Sequence, residues 1–294
     1  MKISCTPISA QGAFARGEIK QEEYFELIAQ AGADGTDIMD PNCYEWFWSD
    51  VEKEKRALKE AVSKRGLVIA AYATGNHFAV RDEDQFRQQV ELVKTAIRDA
   101  AGMGAGVLRI FGGYHKDVIP SSNMDYAEGL KLVIKGIEQV LPEARKCHVD
   151  LALENHGRLP GLSAEILYIM KQFDVPELGV CMDVANFYAH NMNETEDALH
   201  AYSLLKKYVK HVHYKDWKRA PLDAPKRLTP CVCGKGDGIV PLRQMAYLLE
   251  ENNFAGYCSL EYEAPSLEGI RESIAYMKSL KESAELLYGK KENK

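Results

Sequence analysis

The chain has 294 residues, 46% of them hydrophobic and 27% charged, with a formal net charge of −6. This is the composition of a globular protein with enough apolar material for a large core. Its acidic balance excludes a general affinity for nucleic acid or anionic membranes, which requires clustered Lys and Arg. The opening MKISCTPISAQG lacks the apolar core of a signal peptide, and no run of about 18 apolar residues occurs. A cytoplasmic protein with no membrane span, acting on a small polar molecule, is therefore expected. Seven cysteines, an odd number, lie in apolar segments and loops alike and read as reduced thiols. Cys231 and Cys233, spaced C-x-C beside Lys235, have no second cysteine pair nearby and read as free loop thiols rather than a zinc or redox site.

In chain order, Lys2 to Ile8 is a short β-type opening. Gln21 to Ala31 sets Tyr24, Leu27 and Ile28 on one helical face before the Gly32 stop. GADGTDIMD is a second strand ending in acids. Asp50 to Arg65 is a charged helix whose buried stripe is Leu58, Ala61 and Val62. LVIAAYATGNHF supplies a third strand with Thr74, Asn76 and His77 at its exit. The helix Asp82 to Met103 and a fourth strand bearing Arg109 (GAGVLRIFGG) follow, then a long helix from Met124 to Lys146.

The stretch Val149 to Gly157 comes next. Its apolar run, Val149, Leu151, Ala152 and Leu153, breaks into Glu154, Asn155 and His156, as at the mouth of a parallel strand buried on both faces. Three more segments repeat the arrangement: LGVCMD ends in Asp183, VKHVHYKD carries His211 and His213, and GYCSLEYE carries Glu261 and Glu263. Between them lie helices Leu162 to Phe173 and Thr195 to Tyr208, a Pro- and Gly-containing loop from Trp217 to Gly238, and a helix from Pro241 to Asn252. Leu267 to Tyr288 is the last helix.

Eight strands alternating with eight helices predict a parallel α/β sheet. In a chain of this length they predict closure into a single (β/α)8 TIM barrel spanning 1–294, a fold of about 250 residues plus insertions. A doubly wound open sheet competes, but it places its site at one switch point rather than at many strand ends. Glu154 and Asp183 are 29 residues apart and Asp183 and His213 are 30 apart, close to the roughly 30 of a βαβ repeat. The 48 from His213 to Glu261 contain the Trp217 to Gly238 loop.

Three carboxylates and an imidazole at one barrel mouth make an oxygen-rich, hard donor set for Mn²⁺ or Mg²⁺, with Co²⁺ or Zn²⁺ also accommodated. His211 and His213 share a strand face, and His213 is chosen because it lies nearer the carboxyl end. The choice between Glu261 and Glu263 stays open on these grounds. A single acid at a strand end is most simply a hydrogen-bond acceptor for loop N–H groups, but four metal-type side chains at consecutive ends make a shared site the better reading.

Around this set, His156 reads equally as a general acid/base or as a histidine supporting the ligands. Lys215 could neutralise an enolate or phosphate, or pair with Asp216. Arg109 could bind an anionic substrate group, or pair with a carboxylate across the barrel. His77 and Asn186 are candidate substrate contacts. Trp46, Trp48, Trp217 and Phe111 are candidate apolar walls of a sugar pocket.

The combination LALENHG, GVCMDVANF, KHVHYKD, GKGDG and GYCSLEYE, with VLRIFGG upstream, resembles the xylose isomerase-like TIM-barrel superfamily, in its sugar phosphate isomerase/epimerase branch. The likeness runs over nearly the whole chain and keeps the motif order. It implies metal ligands at Glu154, Asp183, His213 and Glu261, the first glutamate of LEYE. It also implies an isomerase or epimerase in which the two glutamates exchange protons on either face of an enediolate of a keto-sugar. Ketose 3-epimerases carry a histidine where this chain has Asn186, and a further glutamate where it has Asn155, His156, Gly157 and Arg158. Those departures point away from a free-ketose 3-epimerase. Inosose dehydratases and the metal-bearing subunits of C-glycoside deglycosidases use similar frames for elimination, a lyase alternative in which His156 fits as base. An apurinic endonuclease is the remote alternative, disfavoured by the missing basic clusters and additional histidines. Oligomeric state and any partner subunit are left open.

Overall fold

The computed structural model describes residues 1–113, 124–157, 159–189, 196–224 and 226–289. Its strands are β1 (Lys2–Cys5), β2 (Gly35–Met39), β3 (Val68–Ala73), β4 (Val107–Ile110), β5 (Asp150–Glu154), β6 (Leu178–Asp183), β7 (Val209–Tyr214), β8 (Asp216–Arg219), β9 (Leu228–Cys231) and β10 (Tyr257–Leu260). Its α-helices are α1 (Gln11–Ala15), α2 (Gln21–Ala31), α3 (Val51–Ser63), α4 (Glu83–Met103), α5 (Tyr126–Cys147), α6 (Ser163–Phe173), α7 (Asn186–Ala189), α8 (Ala198–Leu205), α9 (Leu242–Glu251) and α10 (Leu267–Tyr288). Local chemistry sets many of the boundaries. The carboxylates of Asp50, Asp82 and Asp197 accept the N–H groups of Lys53, Gln85 and His200 at the starts of α3, α4 and α8. Helices α2 and α4 end at Gly32 and Gly104, both left-handed, where glycine carries no side-chain penalty.

Eight strands close in the order β1-β10-β7-β6-β5-β4-β3-β2, every pair parallel, so the expected (β/α)8 barrel is present. Buried stripes such as Phe86, Val90, Val93 and Ile97 of α4 pack on it from outside. None of the described helices is long and apolar enough to cross a membrane. Three local expectations change. The opening strand stops at Cys5, because Pro7 starts a 3₁₀ turn capped by Thr6. The helix expected from Thr195 begins at Ala198, behind its Asp197 cap, and Thr195 lies outside the described residues. The supposed loop from Trp217 to Gly238 contains the antiparallel ribbon β8–β9. Asp216 anchors that ribbon by accepting the N–H groups of Trp217, Gly234 and Val240.

Two register shifts aim side chains toward the barrel mouth. One, between Val180 and Cys181, passes over a residue of β7, so that Asp183 sits beside His213. The other, between Thr36 and Asp37, lies where β2 meets β3. Such irregularities re-aim side chains without ending the sheet. Strand exits are joined by side chains that copy the backbone ladder. Asn155 bonds both the N–H and the C=O of Asp183, and Asn76 does the same for Phe111. At Gly112, just past β4, a Cβ would lie 2.2 Å from the carbonyl oxygen of Leu159 and 2.9 Å from Pro160, so the absence of a side chain lets the loop after β5 close over the exit of β4. Gly112→Ala is expected to cost about 1–3 kcal/mol by overpacking, read as a lower urea midpoint with an unchanged m-value.

Candidate metal centre

Glu154, Asp183 and His213 project from the carboxyl ends of β5, β6 and β7, and Glu261 stands one residue past β10. They are 1%, 0%, 2% and 9% exposed. One donor atom from each lies within 4.8 Å of the other three. The Nδ1 of His213 is 3.7 Å from Glu154 Oε2 and 3.6 Å from Glu261 Oε2, so that ring nitrogen faces the carboxylates. Its Nε2 faces Asp37 Oδ2 at 3.7 Å.

The neighbours show which alternatives hold. Lys215 pairs not with Asp216 but with Asp183, Glu261 and Glu263, its Nζ 3.0, 3.0 and 2.8 Å from their oxygens. Asp216 is occupied by the ribbon's N–H groups. Arg109 is buried, with Nε 3.3 Å from Glu154 Oε2 and its terminal nitrogens bonded to the Thr74 carbonyl and the Tyr44 hydroxyl. It therefore pairs with a neighbouring carboxylate, as its alternative reading had it, but one on the adjacent strand β5 rather than across the barrel. Its guanidinium lies over Phe111, 4.0 Å from the ring centroid. His156 stacks on the same Phe111 ring, centroids 4.4 Å apart and 27° between planes. Asn186 donates to Glu154 Oε1 at 3.3 Å, and its backbone N–H donates to Asp183.

His77 donates its backbone N–H to Gln89 and packs its ring against Gly113. Trp217 sits on the ribbon opposite Pro230, with no described hydrogen bond to the four clustered residues. Trp48 donates to the Met39 carbonyl, and Trp46 packs with Phe14, Tyr44 and Phe47; neither borders the cleft described below. Arg158 lies outside the described residues. A cleft of about 710 Å³ opens beside the cluster, bordered by Glu261, Arg109, Phe111, His156 and Tyr44 and walled by residues 8–16 and 262–267. Sequence reasoning missed Asp37, Tyr44 and the pairing role of Glu263. Asp37 had one signal, a strand ending in acids.

Leaving aside Asp37, which faces two imidazoles, four carboxylates (Glu154, Asp183, Glu261, Glu263) meet two side-chain cations, Arg109 and Lys215, leaving two formal negative charges. The surplus falls on Asp183. Burial, helped by Glu261 and Glu154, pushes its carboxyl up to about 8, because Lys215 is shared among three acids. Burial also opposes ionisation of Glu154 and Glu261, but cationic neighbours outweigh it. His213 and Arg109 bring Glu154 down to about 2, and Lys215 and His213 hold Glu261 well below the ordinary range. His213 is raised well above its usual value despite burial, by Cys181, Glu154 and Glu261. Among the described residues Glu154 Oε2, Asp183 Oδ2 and His213 Nδ1 are buried and make no hydrogen bond, although Arg109 and Lys215 face the first two as ion pairs. Clustered oxygen and nitrogen atoms that make no hydrogen bond, in a pocket with more carboxylates than side-chain cations, fit a divalent cation.

The chain matches the model of the xylose isomerase-like TIM barrel family over residues 25–280. It belongs to that family. No curated protein matches it significantly. Among solved structures, it is similar to a D-tagatose 3-epimerase-like protein (18% identity, 98% of this chain and 99% of that one, TM-score 0.75). It is similar too to a xylose isomerase-like TIM barrel protein from Mycobacterium smegmatis in complex with magnesium (17%, 96% and 97%, 0.72). A third is the probable 3-DHS dehydratase AsbF of Bacillus anthracis (14%, 95% and 99%, 0.69). At these identities the likeness carries the fold.

Without a cation the raised carboxyl of Asp183 and the raised imidazole of His213 favour their protonated forms, and a cation bound by them would displace those protons. Mn²⁺ loading is therefore expected to release protons and to tighten as pH rises toward 8. Calorimetry in two buffers of different ionisation enthalpy would check the release.

Proposed function

We infer that the protein is a divalent-metal-dependent isomerase or epimerase acting on a keto-sugar or sugar derivative. The observation that carries the reading is the burial and convergence of Glu154, Asp183, His213 and Glu261, three carboxylates and an imidazole with donor atoms within 4.8 Å of one another. In this reading these four hold one cation. The three carboxylates favour Mn²⁺ or Mg²⁺, in line with the magnesium of the mycobacterial relative. When bound, such an ion polarises a substrate oxygen and makes the adjacent C–H more acidic.

This chain's residues supply the rest. Glu154 and Glu261, on separate strands, can take a proton from a substrate carbon on one face and return it on the other. Arg109 and Asn186 hold Glu154 from two sides. Lys215, drawn to Asp183, Glu261 and Glu263, keeps positive charge in the cluster, where it would offset negative charge developing on a substrate oxygen. The cleft beside Glu261 has room for a sugar against the Phe111 and His156 rings.

A second reading, a lyase that eliminates from a keto-sugar or keto-inositol, is favoured by His156. Burial lowers its pKa below the usual histidine value, so at neutral pH the ring is ready to accept a proton. Asn186 in the place of a 3-epimerase histidine and the dehydratase among the structural neighbours support the same reading. Product mass separates the two: an unchanged formula marks an isomerase, and release of water or an aglycone marks a lyase.

A screen of keto-sugars in D₂O with the Mn²⁺-loaded protein tests both. Exchange of a carbon-bound hydrogen that is lost with EDTA and restored by Mn²⁺ supports the metal-dependent reading, and undiminished exchange in EDTA contradicts it. Glu154→Gln is expected to lower kcat/KM about 10²–10⁴-fold, the scale of a lost acid–base group, whereas His156→Gln should approach that loss only if the enzyme eliminates. Steady-state kinetics on the substrate identified would decide.

A further inference from the structure

The geometry points to Asp37 and His211 as a positioning pair that fixes the imidazole of His213 and so sets how tightly the cluster holds a divalent cation, an inference that rests on the metal-site reading above. An imidazole has two ring nitrogens, and one can offer a lone pair to a metal only while the other carries the proton. In His213, Nδ1 faces the carboxylates of Glu154 and Glu261, so Nε2 must be the protonated nitrogen. Asp37 Oδ2 is what Nε2 faces, at 3.7 Å. A carboxylate charge there favours the tautomer with its proton on Nε2, the part that hydrogen-bonded carboxylates play for metal-ligating histidines.

Asp37 is itself fixed. It is 1% exposed, and the same Oδ2 lies 3.1 Å from His211 Nε2. The His211 ring stands at 85° to that of His213, with centroids 5.3 Å apart, so the two imidazoles approach one carboxylate oxygen from different directions. Asp37 comes from β2, three strands around the barrel from β7, and the register shift between Thr36 and Asp37 falls immediately before it. The competing arrangement is a second cation held by Asp37, His211 and His213, whose donor atoms also lie within 4.8 Å of one another. It is disfavoured because Asp37 Oδ2 and His211 Nε2 already stand at hydrogen-bond distance.

The test is Mn²⁺ titration of the metal-free wild type, Asp37→Asn, Asp37→Glu, His211→Gln and the Asp37→Asn/His211→Gln double variant. Calorimetry gives affinity, and electron paramagnetic resonance counts the free ion. One Mn²⁺ per chain is expected, bound about 10–100-fold more weakly by Asp37→Asn, several-fold more weakly by His211→Gln, and partly restored in Asp37→Glu. The double variant should bind no more weakly than Asp37→Asn alone, since both residues act through one ring. Should Asp37→Asn not fold, His211→Gln carries the same test. A purely structural role would lower the metal-free melting temperature and leave the affinity unchanged, which overturns the inference. Two Mn²⁺ per wild-type chain falling to one in Asp37→Asn overturns it as well. A wild type that binds no Mn²⁺ would overturn the metal reading itself, whereas equal affinity in wild type and Asp37→Asn overturns only the positioning role.

Discussion

Three carboxylates buried within a few ångströms of one another repel, and each has given up its hydration. The mouth of this barrel is arranged around that difficulty. Arg109 is buried because Glu154 is, and Lys215 sits among Asp183, Glu261 and Glu263 because no single acid in that corner could remain ionised without it. These cations still leave negative charge uncompensated, and Asp183 answers by keeping its proton to about pH 8. A further positive charge, such as the cation proposed above, would relieve a cluster destabilised in this way. That electrostatic deficit, more than the identity of any one residue, marks the mouth as a functional site.

Rigidity is the second requirement, since a cation site depends on donors held to within about 0.5 Å. Here the donors stand on or next to strands rather than on mobile loops. The strand exits are tied by Asn155 and Asn76, whose amides bond a neighbouring strand's N–H and C=O as another peptide would. Cations, asparagines and the Phe111 stack with Arg109 and His156 thus form one supporting shell. The cleft opens on the side where residues 8–16 and the start of α10 meet it, beside Glu261.

Much of the fold was legible in the residues because the signals are local. Apolar runs of strand length alternate with 3.6-period stripes, and Asp or Ser caps and Gly stops bound the helices. Eight such units leave little choice but a closed parallel barrel. The four clustered side chains were legible for a related reason: each lies at or near the end of a strand-like segment, and parallel strands carry what lies at their ends to one face. The ribbon β8–β9 was not legible. Its prolines and glycines read as a loop, and what holds it is Asp216 reaching N–H groups up to 24 residues away.

By itself, then, the sequence determined the barrel, the strand ends and the chemical kind of donor at each. Tertiary structure alone decided which groups face one another. Asp37 meets His211 across 174 residues of chain, and Lys215 meets Glu261 and Glu263 across 46 and 48. The physical reason is that periodicity reports which face of a strand a side chain occupies but not what stands opposite inside a closed barrel. A register shift such as the one at Val180 and Cys181 moves the pairing by a residue and leaves no mark in the local pattern.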